Sequence, residues 1–186
     1  MRHGRWIVLA LGLLLLPGRY APAATPWRVP TVAACQQVGV PASLALAIVA
    51  TESGGHPYAI RVNTGRGTAS FPATYATAVQ IVTTAHQRTT NLDLGLFQVN
   101  YREVQRRSTA WTQQGAFGAF WQQLHAVPPA LLLAPPVNVL VGCVMLRQAF
   151  ERGGPLWQQI GRYHSPAPPR QHAYARKVFA WLARLP

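Results

Sequence analysis

One glutamate lies where the sequence would place an acid catalyst. Glu52 follows the apolar run of residues 44–50, and Gly54 and Gly55 end the segment directly after Ser53. A carboxyl group among apolar side chains keeps its proton to higher pH, because burial disfavours the charged form. We therefore expect Glu52 to act as a general acid. The alternative is that it ends a helix in solvent.

The other three acids have simpler interpretations. Glu103 and Glu151 each lie within four residues of two or more arginines, which indicates solvated helical ion pairs. Asp93 lies beside Gly95 and is expected to cap or support a turn. Because glycosidases usually need two carboxylates, this shortage favours a mechanism in which Glu52 is first the acid and then the base.

The elements that position these residues are mostly helical. Residues 61–74 are predicted to form a loop, and residues 92–101 fit a strand or an irregular segment. The fold is therefore expected to be mainly α, a single globular domain of several short helices. Apolar patterns predict helices at residues 31–38, 42–52, 75–86, 137–151 (amphipathic) and 155–163. The spacing of Tyr174, Val178, Trp181 and Leu182 predicts a terminal helix with a basic outer face.

The first 23 residues are predicted to be an export signal. Arg2 and Arg5 precede an apolar run of 11 residues, 6–16, and Ala21 and Ala23 provide small residues for cleavage. The run is shorter than the roughly 20 residues that span a membrane, although an uncleaved anchor is the alternative. We expect cleavage after Ala23, a mature domain of residues 24–186, a periplasmic location and no stable membrane anchor.

The chain is strongly basic. It has 17 Lys plus Arg against 4 Asp plus Glu, a net charge of +13. Removal of the signal takes three arginines, so 17 − 3 = 14 basic residues and a charge of about +10 remain. Such a charge draws a protein to polyanions such as the bacterial envelope. Export argues against nucleic acid as the partner, and a scattered, solvated basic surface is the simpler alternative.

Cysteine and histidine spacing indicates neither a metal site nor a cofactor. The six histidines form no HExxH pattern, and the two cysteines, Cys35 and Cys143, form no metal-ligand pair. In an oxidising compartment these cysteines can form a disulfide across more than a hundred residues; two buried free thiols are the alternative.

Four segments resemble, in the same order, the motifs of soluble-lysozyme-like (SLT) lytic transglycosylases. They are LALAIVATESGGHPYAIRVN, DLGLFQVN, PVNVLVGCVML and WQQIGRYHS, and together they cover about residues 31–165. The resemblance implies a lysozyme-like fold and peptidoglycan as substrate. It also implies cleavage of the β-1,4 bond between N-acetylmuramic acid and N-acetylglucosamine without water, which leaves a 1,6-anhydro sugar.

The resemblance also implies roles for particular residues. Glu52 would be the acid and then the base, and Ser53 would orient it or the substrate acetamido group. Three further residues would form part of the sugar-binding cleft. Tyr163 would hydrogen-bond near Glu52 and help place it. The three cleft residues are Gly95, which allows close backbone approach, and Gln98 and Asn100, which line the wall.

One position departs from the family pattern, and one segment narrows the subtype. His164 stands where asparagine is usual, which removes an amide and predicts a pH dependence. Residues 61–90 resemble the insert of transglycosylases that accompany type IV secretion and conjugation systems, whose subunits would then be partners. Three alternatives remain open: a hydrolytic muramidase on the same fold, a glycan-binding scaffold of the apparatus, and a cationic membrane-active protein.

Overall fold

The computed structural model describes residues 28–185, so the predicted export signal lies outside the described residues. Within that range the chain is mainly helical, as expected, and no helix has the length and apolar character needed to cross a membrane. The α-helices are α1 (Arg28–Gln37), α2 (Ala42–Ser53), α3 (Tyr75–His86), α4 (Tyr101–Thr109), α5 (Gly118–Gln123), α6 (Pro135–Glu151), α7 (Leu156–His164) and α8 (Pro168–Leu182).

Helix α2 forms as the sequence predicts and brings Glu52 to the end of a buried segment. Pro41 precedes its first turn, and Gly54 ends it in the left-handed conformation with φ of 61°. Its apolar residues pack on almost every side, and most are completely buried. The helix is therefore fixed by tertiary packing, which gives Glu52 a rigid base.

The amphipathic interpretation of residues 137–151 is wrong, although the helix itself is present. Every residue from 137 to 144 in α6 is buried. The helix packs against α1, α7 and a 3₁₀ segment at Pro129–Leu133, so neighbours cover several of its faces. An apolar stripe at helical spacing fits both a surface helix and a central one, and here the helix is central.

The prediction that residues 61–74 form a loop is also wrong in part. Two strands, β1 (Ile60–Val62) and β2 (Thr68–Ser70), form an antiparallel hairpin there. The ambiguous segment after α3 supplies β3 (Leu92–Leu94) and β4 (Val99–Asn100), which complete a sheet of order β2-β1-β3-β4. Strands of two or three residues are too short to show the alternation that identifies a strand in sequence.

Register places one face of this sheet toward the core and the other toward solvent. Ile60 pairs with Leu94, which pairs with Val99, and all three are buried. Their chain neighbours Arg61 and Asp93 are paired in turn, and Asp93 is also paired with Asn100. Because side chains alternate along strands, this second set shares the opposite face and lines a cleft.

A disulfide joins the first helix to the central one. Cys35 in α1 and Cys143 in α6 are bonded, with their Cα atoms 5.1 Å apart and both side chains fully buried. The bond spans 108 residues of sequence, so it links the first described helix to the central helix α6.

Candidate active site

Glu52 lies in a large cleft of about 900 Å³. Its side chain is 14% exposed, so the carboxyl group is partly shielded but open to a ligand. The cleft is lined by three of the four acids and by several arginines. Among the residues predicted for the site, Gln98, Asn100 and Tyr163 line it together with Glu52.

Ser53 does not line this cleft. Its side chain is buried, donates to the backbone oxygen of Val49 (3.1 Å) and accepts from the amide of Gly55 (3.2 Å). These bonds close the last turn of α2. The hydroxyl is therefore held by the helix end, and its predicted contact with Glu52 or the substrate stays a prediction.

The turn after β3 is built around Gly95 and Gln98. Gly95 has φ of +72°, and a Cβ there would lie 2.5 Å from the Asn138 amide nitrogen, so no other residue fits without displacement. Gln98 also has positive φ, and its amide donates to the backbone oxygens of Ala59 (3.0 Å) and Gly95 (2.9 Å). These bonds fix one end of the Gln98 amide at the cleft wall.

Asn138 is a positioning residue that the sequence analysis did not identify individually. Its fully buried amide accepts from the backbone nitrogen of Phe97 (2.8 Å) and donates to the oxygens of Leu94 (2.6 Å) and Leu132 (2.8 Å). It thus ties the turn that carries Gln98 to the central helix. Its only sequence signal was its place in the PVNVLVGCVML segment.

Asp93 is held by two asparagine amides. Asn63 donates to its Oδ2 (2.6 Å), and Asn100 donates to its Oδ1 (2.7 Å). Asn100 also accepts from the amide of Glu103 (3.1 Å) and so begins α4. Both Asp93 oxygens are occupied, which agrees with the interpretation that this acid supports a turn.

Tyr163 hydrogen-bonds to the backbone of the turn after β3. Its hydroxyl donates to the backbone oxygen of Phe97 (2.7 Å), and no hydrogen bond joins it to Glu52. Burial raises the pKa of Tyr163 well above its ordinary value, and the charges of Glu52 and Asp93 raise it further. Tyr163 is therefore a neutral group near Glu52. Its hydrogen bond to Phe97 supports the turn after β3.

Tyr174, in α8, is a second tyrosine in the neighbourhood of the Glu52 carboxyl group. Burial raises the pKa of Tyr174 well above its ordinary value, and the nearby carboxylate of Glu52 raises it further. The hydroxyl is buried and has no partner of ordinary hydrogen-bond geometry. From sequence, Tyr174 could be placed only on the terminal helix, because its position near Glu52 arises from the packing of α8 against α2.

His164 completes the surroundings of Glu52. Its ring stacks parallel on Tyr174 with centroids 4.5 Å apart, and its Nδ1 lies 3.8 Å from Oε1 of Glu52. The side chain is 47% exposed, so it forms part of the open wall of the cleft. The residue that departs from the family pattern is therefore a direct neighbour of the acid.

If Glu52 is the acid, we expect Tyr174→Phe to slow catalysis about tenfold, the scale of one hydrogen bond to a charged group, because the hydroxyl lies near the carboxylate that would form when Glu52 gives up its proton. Stability should change by less than about 1 kcal/mol, since the hydroxyl has no well-formed partner to lose. Initial rates and urea unfolding measure the two effects.

The matched control for this prediction is Tyr101→Phe. The Tyr101 hydroxyl donates to the backbone oxygen of Val127 (3.0 Å), and Tyr101 does not line the cleft. That variant should lose stability and keep its rate. Equal rates in Tyr174→Phe and the wild type would show that the Tyr174 hydroxyl only fills space.

Glu103 forms the ion pairs that its spacing predicts. Arg106 Nη2 and Arg107 Nε both lie 2.7 Å from Glu103 Oε1, and Arg106 Nε donates to Oε2 (2.8 Å). Burial acts to raise the pKa of Glu103, but these hydrogen bonds and charges outweigh it and lower the pKa below 4.5. Both oxygens of Glu103 are therefore committed to arginines.

This lowered pKa predicts a pH-dependent contribution to stability. A carboxyl group whose pKa is lower in the folded state stabilises the fold above its unfolded pKa, and the contribution is lost as pH falls through the folded value. We expect Glu103→Gln to cost about 1 kcal/mol at pH 7, after allowance for solvent screening. The difference from wild type should shrink below pH 4.5. Urea unfolding at pH 7 and pH 3 measures both.

The control for the pH prediction is Glu151→Gln. The Glu151 pair with Arg147 has an N–O distance of 3.2 Å and leaves both side chains at least 40% exposed. Such a pair contributes less than about 0.5 kcal/mol. A difference between Glu103→Gln and wild type that is equally large at pH 3 would contradict the ion-pair explanation.

Comparison with known proteins identifies the domain type. The model of the transglycosylase SLT domain matches residues 30–173, a range that contains Glu52 and Tyr163 and ends one residue before Tyr174. Neither the curated proteins nor the solved structures give a match. Among residues 28–185, no group of three His, Cys, Asp or Glu side chains is placed to hold a metal ion.

Proposed function

The chain belongs to the transglycosylase SLT domain family, lytic transglycosylases that act on peptidoglycan, and we propose that it cleaves the MurNAc-β-1,4-GlcNAc bond without adding water. The product would be a glycan end with a 1,6-anhydro-MurNAc ring. Glu52 would be the single catalytic carboxyl group, and Gln98 and Asn100 would contact the sugars.

The observation that supports this chemistry is the state of the three carboxyl groups in the cleft. Asp93 accepts hydrogen bonds from two amides, and Glu103 is bonded to two arginines. Of the three, only Glu52 has a carboxyl group with no hydrogen bond or ion pair shorter than 3.5 Å to a described residue; His164 Nδ1 lies 3.8 Å from its Oε1. A hydrolytic mechanism with two carboxylates has no second free group here.

The proposed reaction uses Glu52 twice. The protonated carboxyl group gives its proton to the glycosidic oxygen as the bond from that oxygen to C1 of the muramic sugar breaks. The C6 hydroxyl oxygen of the same sugar then bonds to C1, and the Glu52 carboxylate takes the hydroxyl proton. Tyr174 would face the carboxylate while it is charged, and no water enters the product.

Digestion of purified peptidoglycan in H₂¹⁸O tests the proposal. We expect mass spectrometry to find anhydromuropeptides that contain no ¹⁸O and resist borohydride reduction. Reducing ends that carry ¹⁸O would establish a hydrolytic muramidase instead. Binding of the strands without any product would favour a glycan-binding scaffold.

We also propose that the enzyme is exported and opens the wall for a secretion or conjugation machine. The supporting features are the apolar run at residues 6–16 and the resemblance of residues 61–90 to the insert of enzymes associated with type IV secretion. In cells that carry such a system, replacing the wild-type gene by Glu52→Gln should reduce transfer. Undiminished transfer by that variant would contradict an enzymatic role in the machine.

A further inference from the structure

A small hollow opens from the catalytic cleft next to Tyr163. Its volume is about 20 Å³, enough for one water-sized group. Three arginines line it: Arg107 from α4, Arg152 directly after α6, and Arg162 from α7. We call it the arginine hollow. All three arginines and Tyr163 also line the large cleft, so the two spaces adjoin.

The positive charge of the arginine hollow is largely uncompensated. All four acids of the chain are accounted for: Glu52 faces His164, Asp93 is held by asparagines, and Glu151 pairs with Arg147. The fourth, Glu103, pairs with Arg107 and also with Arg106. Within residues 28–185, no carboxylate pairs with Arg152 or Arg162.

The three guanidinium groups are held close together by different elements. Burial lowers the pKa of Arg107, and the charges of Arg106 and Arg152 lower it further against the opposing effect of Glu103. Arg162 Nη1 donates to the backbone oxygen of Gly153, which fixes that side chain beside the chain turn that carries Arg152. Like charges gathered around one enclosed space are stabilised by an anion placed between them.

We propose that the arginine hollow binds a carboxylate of the peptide stem carried by the muramic sugar. The inference rests on the proposed function: Glu52 and the three arginines line the same cleft, so a muramic ring bound beside Glu52 would hold its stem within reach of them. Stem peptides contain free carboxylates, and the planar guanidinium fork matches a carboxylate geometrically. The hollow has room for one carboxylate oxygen, and Arg152, which is exposed, provides the open side.

The test compares two forms of soluble, uncrosslinked glycan strands whose stem amino groups are acetylated. In one form the stem carboxyl groups are free, and in the other they are converted to amides. We expect kcat/KM of the wild type to be about tenfold higher on the free carboxylates, the scale of one charge-assisted contact. In Arg152→Gln and in Arg162→Gln this ratio should fall toward one, while Arg152→Lys should retain part of it.

Arg88→Gln is the matched control, because Arg88 is exposed and does not line either space. It should keep the wild-type ratio. An unchanged ratio in Arg152→Gln and Arg162→Gln would overturn the inference. So would an equal loss on both forms of the strand, which would indicate a structural role.

A binding measurement separates this inference from the proposed function. Titration of Glu52→Gln protein with both strand forms reports the carboxylate preference without turnover. A preference in binding with no product from the wild type would refute the proposed function alone. Product with no preference in rate or binding would refute the stem site alone. If inorganic phosphate binds in an Arg152-dependent way while the strands show no preference, the hollow takes a free anion and the stem assignment is wrong.

Discussion

Glu52→Gln is expected to lower the release of anhydromuropeptides by about a hundred- to ten-thousandfold, the range that general acid–base catalysis supplies. Glutamine keeps the shape of the side chain but cannot give a proton to the glycosidic oxygen or accept one from the C6 hydroxyl. The effect is large because the other cleft carboxyl groups, Asp93 and Glu103, are already occupied. Initial rates of product formation on purified peptidoglycan measure it.

Two variants show whether this loss is specific to Glu52. Asp93→Asn keeps the shape of the side chain but replaces an acceptor of two amide bonds, so it tests whether a second carboxylate takes part. We expect it to lower the rate far less than Glu52→Gln. Circular dichroism and strand binding should remain near wild type in Glu52→Gln. A Glu52→Gln protein that keeps its rate would remove Glu52 from the mechanism.

The position of Glu52 could be predicted from sequence because the features that place it are local. An apolar run followed by an acid and two glycines specifies a buried helix, its end and the group carried there. Helix α3 was predicted with its observed bounds, residues 75–86, because the features that form it are also local. Thr74 caps its first turn by accepting from the amide of Thr77 (3.2 Å), and its apolar residues have helical spacing.

The surroundings of Glu52 could not be predicted in the same way, because they depend on distant packing. Tyr174 and His164 lie more than a hundred residues along the chain from Glu52. They reach its carboxyl group only when α8 packs against α2 and α7 packs against α8. The partner of Tyr163 could not be specified from sequence for a related reason. A motif gives its approximate location, whereas the choice between Glu52 and the Phe97 carbonyl depends on a few ångströms.

The strand and central-helix errors have a common cause. In a chain with this many apolar residues, periodicity reports which residues avoid water but not how many sides of an element are covered. Helix α6 was expected to be amphipathic, but it has neighbours on several sides and is therefore largely buried. The short strands were missed because pairing with distant β3 stabilises β1, and that pairing leaves no local trace in three residues.

Removal of the Cys35–Cys143 bond should destabilise the protein by about 4.7 kcal/mol, the chain-entropy value for a loop of about 100 residues. The observed bond spans 108 residues. For a domain whose total stability is on the order of 5–15 kcal/mol, this is a large share. Urea unfolding of the oxidised wild type, the reduced wild type and Cys35→Ala/Cys143→Ala measures it.

The pattern among the variants identifies the cause of that loss. Cys35→Ala alone should destabilise nearly as much as the double variant, because one remaining thiol cannot form the bond. Reduced wild type should match the double variant to within the cost of two small buried truncations. Because neither cysteine lines the cleft, the rate at low temperature should survive loss of the bond while the thermal midpoint falls. Equal urea midpoints for oxidised and reduced wild type would mean that the bond does not stabilise the fold, and mass analysis with and without reduction would then show whether it forms.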